Sequence, residues 1–326
     1  MRPFSHINAA SLAEASDALR QEGAIATAGG GDLLGALKDD IFPEYPKTVV
    51  NLKSIPDMSH IRKDGGELAI GALATLADIS RDPAVTELAG ALAFAAGKAS
   101  SPSLRETTTI GGNICQLPRC WYFRKLNNRF FCSRKGGERC FAASGDNRYH
   151  SVFGAAVFDA AQGAKGACLA VNQGDLAPVL VALGAVIKTT ERSIEAKNFF
   201  GVGVLSSTVL NRGEIVTEIR IPICDYARNC RYKRFAYRKS IDFPVVNLAI
   251  SFDSERNYRI CMGGVAPVPY SASKAEELLK RQALTPELAE KAGLAAAEGA
   301  KPFESNSYKV QLIKTLVKRE LLALLL

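Results

Sequence analysis

Cysteine carries the first chemical signal in this chain of 326 residues. Eight are present, and Cys115, Cys120, Cys132 and Cys140 crowd into one 26-residue window. In a chain of this length with no export signal of its own, such crowding points to metal ligation rather than to a disulfide framework. Cys224, Cys230 and Cys261 lie in the other half and read as buried, weakly polar thiols.

The second signal is glycine. "ATAGGGDLLGALK", residues 26–38, runs from strand character through three glycines into a helix start. Successive glycines let backbone N–H groups approach a phosphate closely, and a following helix adds its positive end, so the stretch suits a pyrophosphate. A plain tight turn would also use one or two glycines. A second loop, "TTTIGGNI" at 107–114, adds hydroxyls and an amide beside two more glycines. Neither the G-x-G-x-x-G spacing nor a Walker lysine is present, which excludes a standard dinucleotide fold and a P-loop triphosphatase.

The rest of the chain must position these groups. Composition is that of an ordinary globular protein, 47% apolar and 23% charged, and the length suits two or three compact units. No run of eighteen apolar residues occurs, so no membrane span is expected. The net charge of +8 is largely local. Seven basic residues stand against Glu138 alone between Arg119 and Cys140, and a second cluster is "RNCRYKRFAYRK" at 228–239. Such local excess favours specific anionic groups over a nucleic-acid surface.

"SLAEASDALRQEG" has helical spacing that stops at Gly23, and "AIATAG" reads as a buried strand. "DPAVTELAGALAFAAGKAS" reads as one alanine-rich helix, and "ACLAVNQGDLAPVLVALGAVIKTT" as strand, capped helix and strand, with Asp175 near the helix start. "GEIVTEIRIPI" is another strand. From about residue 225 the pattern changes to hairpin-like strands followed by helices, an α+β arrangement. The terminal "LLALLL" is too short to span a bilayer and reads as the end of a core or interface helix.

In order, "ATAGGGDLL", "TTTIGGNI", "GDLAPVLVALGA", "GEIVTEIRIP" and "MGGVAPVP" resemble the FAD-binding medium subunit of the molybdenum hydroxylases, the xanthine dehydrogenase and carbon monoxide dehydrogenase family. The resemblance covers nearly the whole chain. It implies an α+β protein with a two-part vanillyl-alcohol-oxidase-type (PCMH-like) FAD-binding domain at 1–222, subdivided near 57/58, and a carbon monoxide dehydrogenase flavoprotein C-terminal domain at 225–326. Carried over position by position, it implies that Thr27, Ala28, Gly29, Gly30, Gly31, Asp32, Leu33 and Leu34 wrap the FAD pyrophosphate. Thr109, Gly112 and Asn113 would meet the phosphates or flavin ring, Asp175 the adenosine hydroxyls, and Val216 would supply an apolar contact. Arg234 stands where relatives place a lysine, which keeps a cation but changes its geometry. From its residue type alone, Asp175 also suits a simple helix N-cap.

Ordinary medium subunits run from "GGNI" almost directly into the strand that here reads "CLAVNQGD"; this chain interposes about fifty residues, roughly 115–168. The inserted cysteines are similar to those of the 4-hydroxybenzoyl-CoA reductase medium subunit and of bacterial aldehyde oxidoreductases. That resemblance implies a [4Fe-4S] cluster on Cys120, Cys132, Cys140 and Cys168, with Cys115 as the substitute candidate. The spacings of 12, 8 and 28 lack a compact C-x-x-C pattern, and four thiolates alone serve zinc equally well. Arg119, Arg124, Lys125, Arg129, Arg134, Lys135 and Arg139 would stabilise an anionic cluster, or simply form a solvated basic loop. His150 reads as a structural residue that orients a backbone group or caps the loop. Trp121, Tyr122 and Phe123 read as packing that excludes water, rather than as a stacking face for bases.

The implied role is an electron-transfer subunit without substrate acid–base residues. Its partners would be a large molybdenum-cofactor subunit, a small subunit with two [2Fe-2S] clusters and an external electron acceptor or donor. No nucleic-acid or membrane partner is expected. Location would be cytoplasmic, or periplasmic if a partner carried the export signal. Two other classes fit parts of the pattern: a ferredoxin-fed reductase of the 4-hydroxybenzoyl-CoA type, and a zinc-binding nucleic-acid protein, which leaves both glycine loops unexplained.

Overall fold

The computed structural model describes residues 1–158, 165–239 and 241–325. Its first layer is a three-stranded parallel sheet with Thr48–Asn51 between Ser5–Asn8 and Ala24–Thr27. Helix Leu12–Arg20 crosses between the outer strands. Ser11 caps it by accepting the Glu14 N–H, and it ends before Gly23, whose φ of +77° needs a residue without Cβ. Strand Ala24–Thr27 then feeds the glycine loop and helix Leu33–Lys38.

A five-stranded antiparallel sheet follows, in the order Ile61–Asp64, Glu67–Gly71, Val216–Pro222, Val186–Thr189, Ser193–Glu195. Val216–Pro222 lies at its centre although it comes last in sequence, and residues 72–185 form an excursion between the second strand and Val186–Thr189. Helices Leu76–Arg81, Gly90–Lys98 and Leu176–Ala182 contribute Leu76, Leu92 and Leu176 to the core shared with this sheet. The alanine-rich segment is two helices rather than one, Pro83–Leu88 and Gly90–Lys98. Ala89, at φ −147° and ψ 50°, breaks the ladder beside Gly90, a weak helix former.

The last unit is a four-stranded antiparallel sheet, Cys230–Phe235, Val246–Phe252, Tyr258–Gly263 and Tyr270–Ser271, followed by helices Ser273–Leu279, Pro286–Ala296 and Tyr308–Leu322. Val246, Leu248 and Ile260 meet Ala292, Ile313 and Val317 in a separate core. Among the described residues, no helix is long and apolar enough to cross a membrane.

The insertion has little regular structure, as its lack of periodicity predicts. Among the described residues it holds three single 3-10 turns, Leu126–Asn128, Ser133–Lys135 and Phe141–Ala143, and a short ladder pairing Ala156–Val157 with Ala167–Cys168. Aromatic packing gives it rigidity. Phe123 is buried, Tyr122 meets Phe130 edge-on at 5.2 Å, and Phe130 lies 4.9 Å from Phe141.

Candidate cofactor sites

Both glycine loops contribute to the wall of a cavity of about 500 Å³. Its wall includes Thr27, Ala28, Gly29, Gly30, Gly31, Asp32, Leu33, Thr109, Gly112, Asn113, Asp175 and Val216. Two residues implied by the resemblance are not brought to that wall. Leu34 is half exposed on the outer side of its helix, and Arg234 lies behind Asp175.

Local geometry explains the glycines, for a reason invisible in the sequence. A Cβ on Gly29 would stand 1.8 Å from the Thr107 carbonyl oxygen, and one on Gly31 would stand 2.6 Å from Thr108 Oγ1. Two of the three glycines therefore let the loops pack against each other. Gly30, at φ +71°, makes the turn. The helix that follows has only six residues, so its dipole adds little and the loop amides are the main anion donors. Thr109 Oγ1 accepts the Gly112 N–H at 3.2 Å, whereas Asn113 Oδ1 is buried without a partner, an acceptor left for a ligand N–H or O–H.

Asp32 does more than line the loop. Its carboxylate takes Arg124 at 2.6 Å, Arg119 at 2.8 Å and the Leu117 N–H at 2.9 Å, which pins the insertion's first residues to the first glycine loop. Arg119 and Arg124 are thus ion-paired elsewhere and are not free counter-charges for the cysteines. Arg119 also lies over the Phe243 ring at 4.8 Å, and both residues line the cavity.

Asp175 sits at the start of helix Leu176–Ala182 but makes no capping bond. Tyr232 donates its hydroxyl to the carboxylate and Arg234 pairs with it at 3.1 Å, so the aspartate ties the flavin-side helix to the C-terminal sheet. Burial pushes its carboxyl up to about 6, against the pull of Arg234 and the Tyr232 hydrogen bond. The folded state binds this proton more tightly than the unfolded state, so the stability that this group contributes is fully present below about pH 4 and is lost as pH rises through 6. The wild type should lose about 3 kcal/mol across that window relative to Asp175→Asn, which cannot titrate. Denaturant titrations of both proteins at several pH values check this, and parallel curves would remove the assignment.

Cys120, Cys132, Cys140 and Cys168 line a second, small cavity together with Tyr122, Phe123, Arg134 and Phe141. Cys115 does not; it lines the larger cavity, with burial pushing its thiol up to about 12. Backbone N–H groups point at the sulfurs: Tyr122 and Phe123 at Cys120, Arg134 at Cys132, and Ala170 at Cys168, the last at 3.4 Å. Among the described residues, no group of three or more His, Cys, Asp or Glu side chains is placed to hold a single metal ion.

Arg134 and Lys135 are both 2% exposed. Arg134 donates to Ser206 O at 2.7 Å and Ser207 Oγ at 2.8 Å, while its Nε is buried without a partner. Lys135 donates to Asn128 Oδ1 at 2.8 Å. Among the described residues, neither has a carboxylate at ion-pair distance; ionised sulfurs at Cys120 and Cys132 would favour both cations and one at Cys168 would favour Arg134, while Arg124 opposes the charge on Lys135. Buried cations without a counter-charge are costly, and four metal-bound thiolates would supply one.

Comparison with known proteins identifies the scaffold. Residues 2–224 match the model of the FAD binding domain in molybdopterin dehydrogenase, and residues 231–324 match the CO dehydrogenase flavoprotein C-terminal domain. The chain belongs to the molybdopterin dehydrogenase FAD-binding family. It is 29% identical over 293 residues to the aldehyde oxidoreductase FAD-binding subunit of Escherichia coli, covering 87% of this chain and 88% of that one. It is 25% identical over 321 residues to the carbon monoxide dehydrogenase medium chain of Hydrogenophaga pseudoflava, covering 95% and 93%. The fold matches quinoline 2-oxidoreductase from Pseudomonas putida 86 with a TM-score of 0.74 at 21% identity, covering 99% of this chain and 96% of that one. As a member of this family, the protein is an FAD-binding oxidoreductase medium subunit with the two-part flavin domain and the flavoprotein C-terminal domain.

The cavity wall of this molybdopterin dehydrogenase flavoprotein also holds groups that reasoning from sequence missed. Gln116, Ser207 and Phe243 are among them. None carries a periodic or motif signal. Ser207 reaches the wall on the hairpin Phe200–Gly203/Ser206–Thr208, and Phe243 on the turn before strand Val246–Phe252.

Proposed function

We propose that this chain carries FAD and a [4Fe-4S] cluster as the electron-transfer subunit of a molybdenum-dependent hydroxylase or dehydrogenase. The observation that carries the cluster is the meeting of four cysteines at one cavity beside two buried cations that lack a carboxylate. One zinc ion would need all four sulfurs gathered around a point, whereas a cubane receives them at separate corners.

FAD supplies one- and two-electron redox chemistry when bound, and the cluster exchanges single electrons. The chain's residues do the positioning. Loop amides at 28–32 face the pyrophosphate position, Asn113 offers its free acceptor, Val216 gives an apolar wall, and Asp175 with Arg234 closes the side next to the C-terminal sheet. Residues 116–120 connect the two sites directly: Gln116, Leu117 and Arg119 line the flavin cavity, and Pro118 and Cys120 line the cysteine cavity. The partners in this reading are a large molybdenum-cofactor subunit, a small [2Fe-2S] subunit and an external electron acceptor. Substrate chemistry belongs to the large subunit.

Anaerobically purified protein should show flavin absorption bands on a broad iron–sulfur shoulder and contain about four irons per chain. A flavoprotein without iron would remove the cluster, and a colourless zinc protein would remove the whole reading.

A further inference from the structure

The last helix of the chain reaches back into the insertion. Asn306, Tyr308 and Lys309 stand at its start, and together they take five consecutive carbonyls, those of residues 147–151. Asn306 Nδ2 donates to the oxygens of Asn147 at 3.3 Å, His150 at 3.4 Å and Ser151 at 3.2 Å. Tyr308 donates its hydroxyl to Arg148 O at 2.8 Å. Lys309 Nζ donates to Tyr149 O at 2.8 Å, His150 O at 3.0 Å and Gly264 O at 2.7 Å. Lys309 is fully buried and has no carboxylate partner among the described residues. Such a concentration of donors on one irregular segment fixes its backbone, and His150 is the residue held twice.

The fixed backbone aims the imidazole at the cysteine cavity. His150 Nε2 lies 3.2 Å from Cys120 Sγ, with the rings of Trp121 and Tyr122 each 6.1 Å away. Nδ1 is buried without a partner. With Cys120 as a metal-bound thiolate, these two facts set the tautomer. A proton on Nδ1 would be a buried donor with no acceptor, whereas a proton on Nε2 meets a sulfur that, as a metal-bound thiolate, can only accept.

We propose that His150 is a positioning residue that donates its Nε2–H to Cys120 and raises the reduction potential of the bound cluster, held in place by the Asn306–Lys309 clamp of the C-terminal domain. This rests on the cluster reading above. Reduction adds one negative charge shared with the thiolates. A hydrogen bond to a thiolate would therefore be stronger in the reduced state. The C-terminal domain thereby takes part in tuning a centre whose proposed ligands all lie outside it.

The test is an EPR-monitored redox titration of the anaerobic complex, with iron and FAD assayed on the same samples. His150→Leu should keep both cofactors and shift the one-electron equilibrium about tenfold toward the oxidised cluster, or ~59 mV. His150→Gln, which keeps an N–H donor, should recover most of that shift. Lys309→Met should move the equilibrium in the same direction. A leucine variant with full iron and an unchanged potential overturns the proposal, as does a glutamine variant no better than leucine. Should the leucine variant lose its cluster, pulsed EPR of the reduced wild type decides: an exchangeable proton and a histidine nitrogen coupled to the cluster support the bond, and their absence overturns it. A wild type without iron overturns the cluster reading itself, which is a different result from a cluster indifferent to His150.

Discussion

Cys132→Ser should strip about four irons from each chain and leave the flavin in place. Serine is nearly isosteric with cysteine, and the turn that carries it is held by backbone bonds, from the Lys135 and Gly137 N–H groups to the Cys132 carbonyl. The loop therefore has no reason to unfold before metal is considered. A neutral hydroxyl is a poor replacement for a thiolate at iron, so the cluster is lost. FAD is retained because Cys132 does not line the flavin cavity, whose loops are joined to each other through Gly29 and Thr107. Stability should fall as well. Loss of the thiolate charge leaves Arg134 and Lys135 buried without any counter-charge, and removing one side of a buried ion pair costs about 3–5 kcal/mol. Adding Arg134→Met to Cys132→Ser should then recover part of that loss, a non-additive pair measurable by denaturation. Cys115→Ser is the companion measurement: it should keep both iron and flavin. Iron retained in Cys132→Ser, or lost in Cys115→Ser, would show that the four ligands are wrongly chosen.

What is legible in the sequence is the chemistry-bearing side chains; what is hidden is their division of labour. The glycine triplet is visible in any reading, and its backbone freedom points to a ligand loop. Only the fold shows that Gly29 and Gly31 let one loop pack on the other. Asp32 reads as part of a phosphate loop, yet its carboxylate secures Arg119 and Arg124, because the insertion returns across the first sheet. Asp175 reads as a ligand residue, with a helix cap as the alternative. The buried contact with Tyr232 and Arg234 is nonlocal, and no local pattern reveals it. Seven basic residues look alike in the insertion; packing separates Arg134 and Lys135 from the rest by burying them. Lys309 is the plainest case of a hidden role. Nothing in "YKVQLIK" marks it, and it becomes a clamp only because residues 147–151 pass over its helix start.

Gly29→Ala should weaken FAD binding roughly 10- to 100-fold, the larger of the expected effects on the flavin site. The added methyl would meet the Thr107 carbonyl oxygen at 1.8 Å, the carbonyl carbon at 2.6 Å and Thr108 Cα at 2.9 Å. All three are backbone atoms, so no rotamer change relieves the contact and the two loops must move apart. Overpacking of this kind costs about 1–3 kcal/mol. Because both loops line the same cavity, the displacement falls on the surface that receives the cofactor. Gly35→Ala provides the contrast. That glycine lies a few residues on, in helix Leu33–Lys38, and a Cβ there would have no neighbour within 4 Å, so alanine should bind FAD normally and gain up to about 1 kcal/mol of helix propensity. Flavin content after gel filtration, fluorescence titration of the apoprotein and thermal unfolding would compare the two. Equal FAD affinity in both variants would mean that close packing of the loops is not what shapes the site; a deficit confined to Gly29→Ala would tie cofactor affinity to the contact between the first glycine loop and Thr107.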